Sequence, residues 1–241
     1  MASLVDKLWE HRTPNVSAAR GPAELAVAAR EERIKLADKV EKEMGPFAPA
    51  YLEALVEVPR ERYVRPADIV RSGLDVPLPI DDAGLATISA PHAYLLSFRL
   101  VDLCVGDRLV ELGSGTGYGA ALAARIVGPE GHVLTVEIDG DLASRTRELL
   151  PPDAPIECLH GDAMAAAPWP ASGAKIICTF AIGALPEPWL AALPEGGVLV
   201  APVGPSESEQ KLVRVTRHDG ALLVTAHGAV RYVRNRSAHS A

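Results

Sequence analysis

Arg108-Leu109-Val110-Glu111-Leu112-Gly113-Ser114-Gly115-Thr116-Gly117-Tyr118-Gly119 decides the fold of this chain. A short apolar run containing one acid, then glycines at alternate positions, then an Ala-rich run, reads as a buried strand, a tight turn and a helix. Glycines let the backbone take positive φ, and main-chain N–H groups beside the partly positive start of a helix suit an anionic or carboxylate-bearing cofactor. The dinucleotide fingerprint fits only as Gly115-x-Gly117-x-x-Ala120. Counted from Gly113, it would need a small residue where Tyr118 stands.

Two further acids stand where a second and a third strand end. Gly131-His132-Val133-Leu134-Thr135-Val136-Glu137-Ile138-Asp139 places Glu137 about 20 residues past the glycines, the separation at which an acid reaches a ribose hydroxyl pair. Asp139 reads as the cap of the next helix. Ile156-Glu157-Cys158-Leu159 runs into His160-Gly161-Asp162-Ala163, where Asp162 can accept from an adenine amino group or serve as a plain cap. Ligands of open α/β sheets bind at the carboxyl ends of the strands, so the three places converge. The spacing Glu111-x-Gly113-x-Gly115-x-Gly117 resembles that of S-adenosylmethionine methyltransferases.

With 241 residues, 48% of them hydrophobic, the chain can bury a full core and fits one domain plus an appendage. A net charge of −7 argues against nucleic acid as a partner. The basic tail at Arg231, Arg234 and Arg236 is too short to change that. Cys104, Cys158 and Cys178 are far apart and read as small apolar core residues in a reducing, cytoplasmic compartment. The seven histidines form no ligand cluster, so no metal is expected. Met1 to Pro14 lacks the apolar core of a signal peptide, and no run is long enough to span a membrane.

Residues 1–21 read as a loosely docked lead-in, and Pro22 starts a surface helix to about Met44, with apolar residues such as Leu25, Leu36 and Val40 at helical spacing. Together these make a helical extension, 1–45, before a methyltransferase domain, 46–241. Helices follow at Pro49–Val58 and from Pro91. Beyond the third strand come a strand over 174–179, a short helix over 186–193 and a strand over 198–203. Strands at 211–217 and 222–225 then face each other across Asp219-Gly220 as a hairpin. The fold class is α/β: a Rossmann-like, doubly wound, mostly parallel seven-stranded sheet with an antiparallel edge strand.

An ordered set of segments makes the resemblance specific. Leu55-Val56-Glu57-Val58-Pro59-Arg60-Glu61-Arg62-Tyr63-Val64, Pro77-Leu78-Pro79-Ile80, Thr87-Ile88-Ser89-Ala90-Pro91-His92, the glycine stretch, Gly197-Val198-Leu199-Val200-Ala201-Pro202-Val203-Gly204 and Arg231-Tyr232-Val233 resemble protein-L-isoaspartate O-methyltransferases over roughly residues 45–235. The resemblance implies S-adenosyl-L-methionine as cofactor, released as S-adenosyl-L-homocysteine. It implies that Thr87, Ile88 and Ser89 form the wall between cofactor and substrate, with Ser89 the active-site hydroxyl. Glu111, Gly113, Ser114, Gly115, Thr116 and Gly117 would hold the methionine end, Glu137 and Ile138 the ribose, and Asp162 and Ala163 the adenine. Substrate contacts would come from Thr87, Ser89, His92, Phe180, Ala181 and Ile182. The acceptor would be an isoaspartyl or aspartyl carboxylate of a protein or peptide.

Such chemistry needs no general base, because a carboxylate is ionised at neutral pH. The enzyme supplies in-line positioning and shelter from water. Ser89 before Pro91 also reads as a helix N-cap, and His92 as a packing or hydrogen-bonding residue. The methyl ester of an isoaspartyl residue closes to a succinimide, whose opening returns some normal aspartate. The chain differs from the family in three places near the substrate mouth. Pro79-Ile80-Asp81-Asp82-Ala83-Gly84-Leu85-Ala86-Thr87 is two residues longer and acidic, and its new carboxylates would repel an anionic substrate if they faced it. Thr179-Phe180-Ala181-Ile182-Gly183 and Val233-Arg234-Asn235 also depart from the pattern. These differences suit a relative that methylates an aspartate or another acceptor in a dedicated peptide or small molecule. A third reading is a non-catalytic, cofactor-binding adaptor.

Overall fold

A computed structural model describes residues 22–82, 84–165, 174–204 and 210–237. The expected lead-in, 1–21, lies outside the described residues. Helices α1 (Pro22–Met44) and α2 (Pro49–Glu57) pack together and are followed by the two-stranded ribbon of β1 (Leu78–Pro79) and β2 (Thr87–Ile88) and by α3 (Pro91–Val101). Then come β3 (Arg108–Leu112), α4 (Tyr118–Val127), β4 (His132–Glu137), α5 (Gly140–Leu149) and β5 (Ile156–His160). The chain continues through β6 (Lys175–Cys178), α6 (Glu187–Ala192), β7 (Val198–Val203), β8 (Gln210–His218) and β9 (Ala221–Val230).

Seven strands form one sheet in the order β5-β4-β3-β6-β7-β8-β9. The first five in that order run parallel, β8 runs against β7, and β9 is the edge, antiparallel to β8. The central strands are near-continuous apolar runs because helices cover both faces. Leu109 faces α3 and α4, and Val110 and Leu112 lie in the opposite cluster with Trp189 of α6. Leu109, Leu112, Val133 and Ile176 are at most 1% exposed, each worth about 1.5–3 kcal/mol of burial.

β9 runs well past the 222–225 read from sequence. Ala226-His227-Gly228-Ala229 carries no β-branched alternation, and pairing with β8 carries the strand on regardless. Gly228, at φ +92°, takes up the bulge in that register. The cysteines correct another expectation: only Cys178 is buried, Cys158 is half-buried, and Cys104 is exposed in the turn before β3. A small residue in a turn has no core to enter. Among the described residues, no helix is long and apolar enough to cross a membrane.

α1 is amphipathic as expected. Leu36, Ala37 and Val40 are buried, and the nearly buried Arg33 donates to the Val56 carbonyl at 2.7 Å and pairs with Glu61 at 2.5 Å, tying α1 to α2 and the turn after it.

Candidate active site

Strand order reverses direction of travel at β3: the chain goes from there to β4 and β5 on one side and to β6 and β7 on the other. A cavity lies at the carboxyl ends there, where ligands of open α/β sheets bind. Gly113 to Thr116 line one side, with Gly113 and Gly115 at φ +96° and +57°. A Cβ on Gly113 would collide with Thr179 Oγ1, and one on Gly115 would reach within 3.3 Å of Ile80 across the cavity. The backbone therefore forms a cradle that side chains would fill.

Two carboxylates face this cradle. Glu137, 3% exposed, accepts from the Gly115 N–H at 2.8 Å and the Asp139 N–H at 3.1 Å. Asp162 accepts from the Met164 N–H at 2.9 Å. Asp139 takes the capping role expected of it, accepting from the Asp141 and Leu142 N–H groups. The carboxy-terminal segment returns to the same acids: Arg236 pairs with Glu137 at 3.1 Å and Asp139 at 3.4 Å, and Ser237 donates to Asp162 at 2.5 Å. The hydroxyl of Thr116 and the Asn235 amide nitrogen line the cavity buried, with no hydrogen-bond partner among the described residues. An amino-acid carboxylate, a ribose and an adenine would use such donors and acceptors, so the residues present fit S-adenosylmethionine.

The opposite wall is β2 and the turn into α3. Ser89 is held on both sides: its N–H donates to the Tyr94 hydroxyl at 3.2 Å, and its carbonyl accepts from the buried guanidinium of Arg60 at 3.0 Å. Ala90, not Ser89, is the N-cap of α3, and no side-chain cap bond is made there. Asp75 supplies it from a distant loop, accepting from the His92 N–H at 3.0 Å and pairing with the His92 ring at 2.8 Å. Burial pushes the Asp75 carboxyl up, but these His92 contacts outweigh it and hold its pKa below the ordinary value. His92 thus takes the hydrogen-bonding role, and it also borders a second cleft. Thr87, Ser89 and Val233 line both cavity and cleft.

Most of the residues singled out in the sequence meet here. Thr87, Ile88, Ser89, Gly113, Ser114, Gly115, Thr116, Glu137, Ile138, Asp162, Ala163 and Phe180 line the one cavity, and His92 lines the cleft. Four do not reach either. Gly117 begins α4 packed against Thr146, and Ala181 and Ile182 are buried, bridged to Arg234 and Val203. Glu111 lies behind the glycine turn, accepting from Thr135 at 2.7 Å and so close to Gly119 that a Cβ there would strike it. Tyr94, Ile80, Leu85, Thr179, Arg236 and Ser237 were not singled out as site residues: Ile80 and Thr179 stand in segments compared with the family, but only the folded chain brings the six to the cavity or its acids. The two carboxylates of the acidic loop face neither the cleft nor the cavity. Asp81 accepts from the Leu85 N–H at 2.9 Å, Asp82 pairs with Arg65 at 3.2 Å, and neither lines this cavity or this cleft; Ala83 lies outside the described residues.

The sequence profile of the family described as protein-L-isoaspartate(D-aspartate) O-methyltransferase matches residues 32–239. The chain belongs to this family. A protein-L-isoaspartate O-methyltransferase of Methanothermobacter thermautotrophicus is 38% identical over 170 residues, 70% of this chain and 77% of the relative. Archaeoglobus fulgidus has one, numbered 2, that is 35% identical over 206 residues, 84% of this chain and 92% of its own. A solved protein-L-isoaspartate O-methyltransferase superposes with a TM-score of 0.76 at 25% identity, covering 86% of this chain and 67% of that one. A Plasmodium falciparum structure, described as a beta-aspartate methyltransferase in complex with S-adenosyl-L-homocysteine, shares the fold at a TM-score of 0.71 and 22% identity, covering 84% of this chain and 97% of that one.

Glu111 makes stability depend on pH. Burial pushes its pKa from 4.5 up to about 8, against the bond from Thr135. The folded protein thus keeps a proton that the unfolded chain has lost between those values, so stability falls as pH rises through that window and levels off above it. The urea midpoint is expected to be higher at about pH 5 than at about pH 8, and Glu111→Gln to shrink the difference. An equal difference in the variant would contradict the assignment to Glu111.

Proposed function

We propose that the protein transfers the methyl group of S-adenosylmethionine to the side-chain carboxylate of L-isoaspartyl residues in proteins or peptides. Membership of the family supports this, and the observation that carries it is the wall shared by two cavities: Thr87, Ser89 and Val233 border both. An acceptor entering the cleft meets a cofactor in the cavity only there.

When bound, S-adenosylmethionine supplies an electrophilic methyl group and leaves as S-adenosylhomocysteine. Gly113 to Thr116 would hold its methionine end, Glu137 its ribose, and Asp162 with Ala163 its adenine. The Ser89 hydroxyl would hold the attacking carboxylate in line, with Thr87 and Ile88 shaping the gap. No side chain needs to take a proton, since the acceptor is already ionised. Closing of the ester to a succinimide then follows without the enzyme. We also read the protein as cytoplasmic, from its three widely separated cysteines, with residues 1–45 as a helical extension of the catalytic unit.

A narrower reading, one dedicated peptide, is favoured by the altered mouth, where Leu85 lines the cavity while 62% exposed. A panel of unrelated isoaspartyl peptides, incubated with labelled S-adenosylmethionine, separates the two. Labelling across the panel establishes repair, and labelling of a single sequence establishes tailoring.

A further inference from the structure

Gln210 begins β8 and pairs with Val230, the last residue of β9. Beyond that rung the chain leaves the sheet, yet the ladder goes on through a side chain. The Gln210 Oε1 accepts from the Tyr232 N–H at 2.7 Å, and its Nε2 donates to the Tyr232 carbonyl at 3.2 Å. Gln210 is 0% exposed, so its amide has left water altogether, and among the described residues it depends on this one peptide group for the bonds that justify its burial. One residue on, the Val233 carbonyl accepts from the Ala181 N–H at 2.8 Å. Segment 232–233 is thereby fixed between a side-chain clamp and the turn after β6, and Val233 is the member of the shared wall that faces Thr87 and Ser89 from the other strand system.

We propose that Gln210 is a positioning residue for methyl transfer, holding Val233 so that the gap between cleft and cavity admits the acceptor carboxylate. The inference rests on the function proposed above. Gln210 touches neither cavity itself and acts through the Tyr232 peptide.

Gln210→Ala removes both bonds. For an isoaspartyl peptide, kcat/KM is expected to fall about 10-fold or more, chiefly through KM, as for a lost pair of buried hydrogen bonds. S-adenosylhomocysteine affinity is expected to move less than about 3-fold, since Glu137, Asp162 and the glycine turn are untouched. Val127→Ala, at the far end of α4 and 0% exposed, gives a purely structural comparison: a lower melting temperature with KM unchanged. Gln210→Glu adds a signature that mere destabilisation lacks. Its carboxyl, protonated, can both accept from the Tyr232 N–H and donate to the Tyr232 carbonyl; ionised, it cannot donate. Burial favours the protonated form, so its activity relative to wild type is expected to be highest at about pH 5 and to fall toward about pH 9.

Wild-type kcat/KM in folded Gln210→Ala, or a flat relative pH profile for Gln210→Glu, overturns the proposal. If the wild type binds S-adenosylhomocysteine but labels no isoaspartyl peptide, the proposed function fails instead. The clamp is then read by amide hydrogen exchange at Tyr232 and Val233: faster exchange in Gln210→Ala supports it, and unchanged exchange overturns it.

Discussion

Arg60→Met is expected to lower the free energy of unfolding by about 3–5 kcal/mol, among the largest single-residue losses in the chain. Arg60 is 0% exposed and donates to the carbonyls of Ser72, Leu74, Val76 and Ser89 at 3.2, 2.9, 2.8 and 3.0 Å. Burial lowers its pKa, and these carbonyl dipoles, with the Tyr118 ring 5.9 Å away, support the charge. A hydrogen bond to a charged group contributes about 1.5–3 kcal/mol, and Met leaves four carbonyls unpaired while filling only part of the space. Because one of them belongs to Ser89, the folded remainder should also lose activity. Urea denaturation checks the first claim, and a loss below about 1 kcal/mol would contradict it.

Glu137→Ala is expected to weaken S-adenosylhomocysteine binding by about 100- to 1000-fold, with a smaller effect on the fold. The carboxylate is nearly buried and already orients two backbone N–H groups, those of Gly115 and Asp139. Two ribose hydroxyls on one such carboxylate are worth about 3–4 kcal/mol together, which is that range in affinity. Its loss also frees the Gly115 N–H and leaves Arg236 without its closer partner. Glu137→Gln, which keeps one acceptor oxygen, should fall between. Calorimetry on the folded variants decides it, and a change within about 3-fold would remove Glu137 from the ribose role.

The parts of this molecule legible in the sequence are those written in local pattern. Arg108 to Gly119 gave strand, turn and helix within a residue or so because apolar run, glycines and helix formers follow one another directly. The helix over Pro22–Met44 and the strand over Val198–Val203 match their expected bounds for the same reason, and Asp139 is the cap its position before α5 suggested. Glu111 shows how a motif can be read too simply. It shares a strand face with Leu109, toward α3 and α4, so alternation alone would have put it behind the turn. Arg60 and Gln210 act on backbone groups 12 to 29 residues away, and Tyr94 on that of Ser89 five residues back; Arg60 stands in a segment that carries the family likeness, but nothing there marks the bonds it makes. Arg236 reaches Glu137 across 99 residues; in sequence it was only one of three arginines in a basic tail.

The most direct test of the account is methyl transfer from labelled S-adenosylmethionine to a short isoaspartyl peptide, beside its normal aspartyl twin and with Ser89→Ala in parallel. The account predicts label in the isoaspartyl peptide alone, and at least about 10-fold less of it with Ser89→Ala at unchanged S-adenosylhomocysteine affinity. Equal labelling of both twins, or a Ser89→Ala enzyme as fast as wild type, would contradict it.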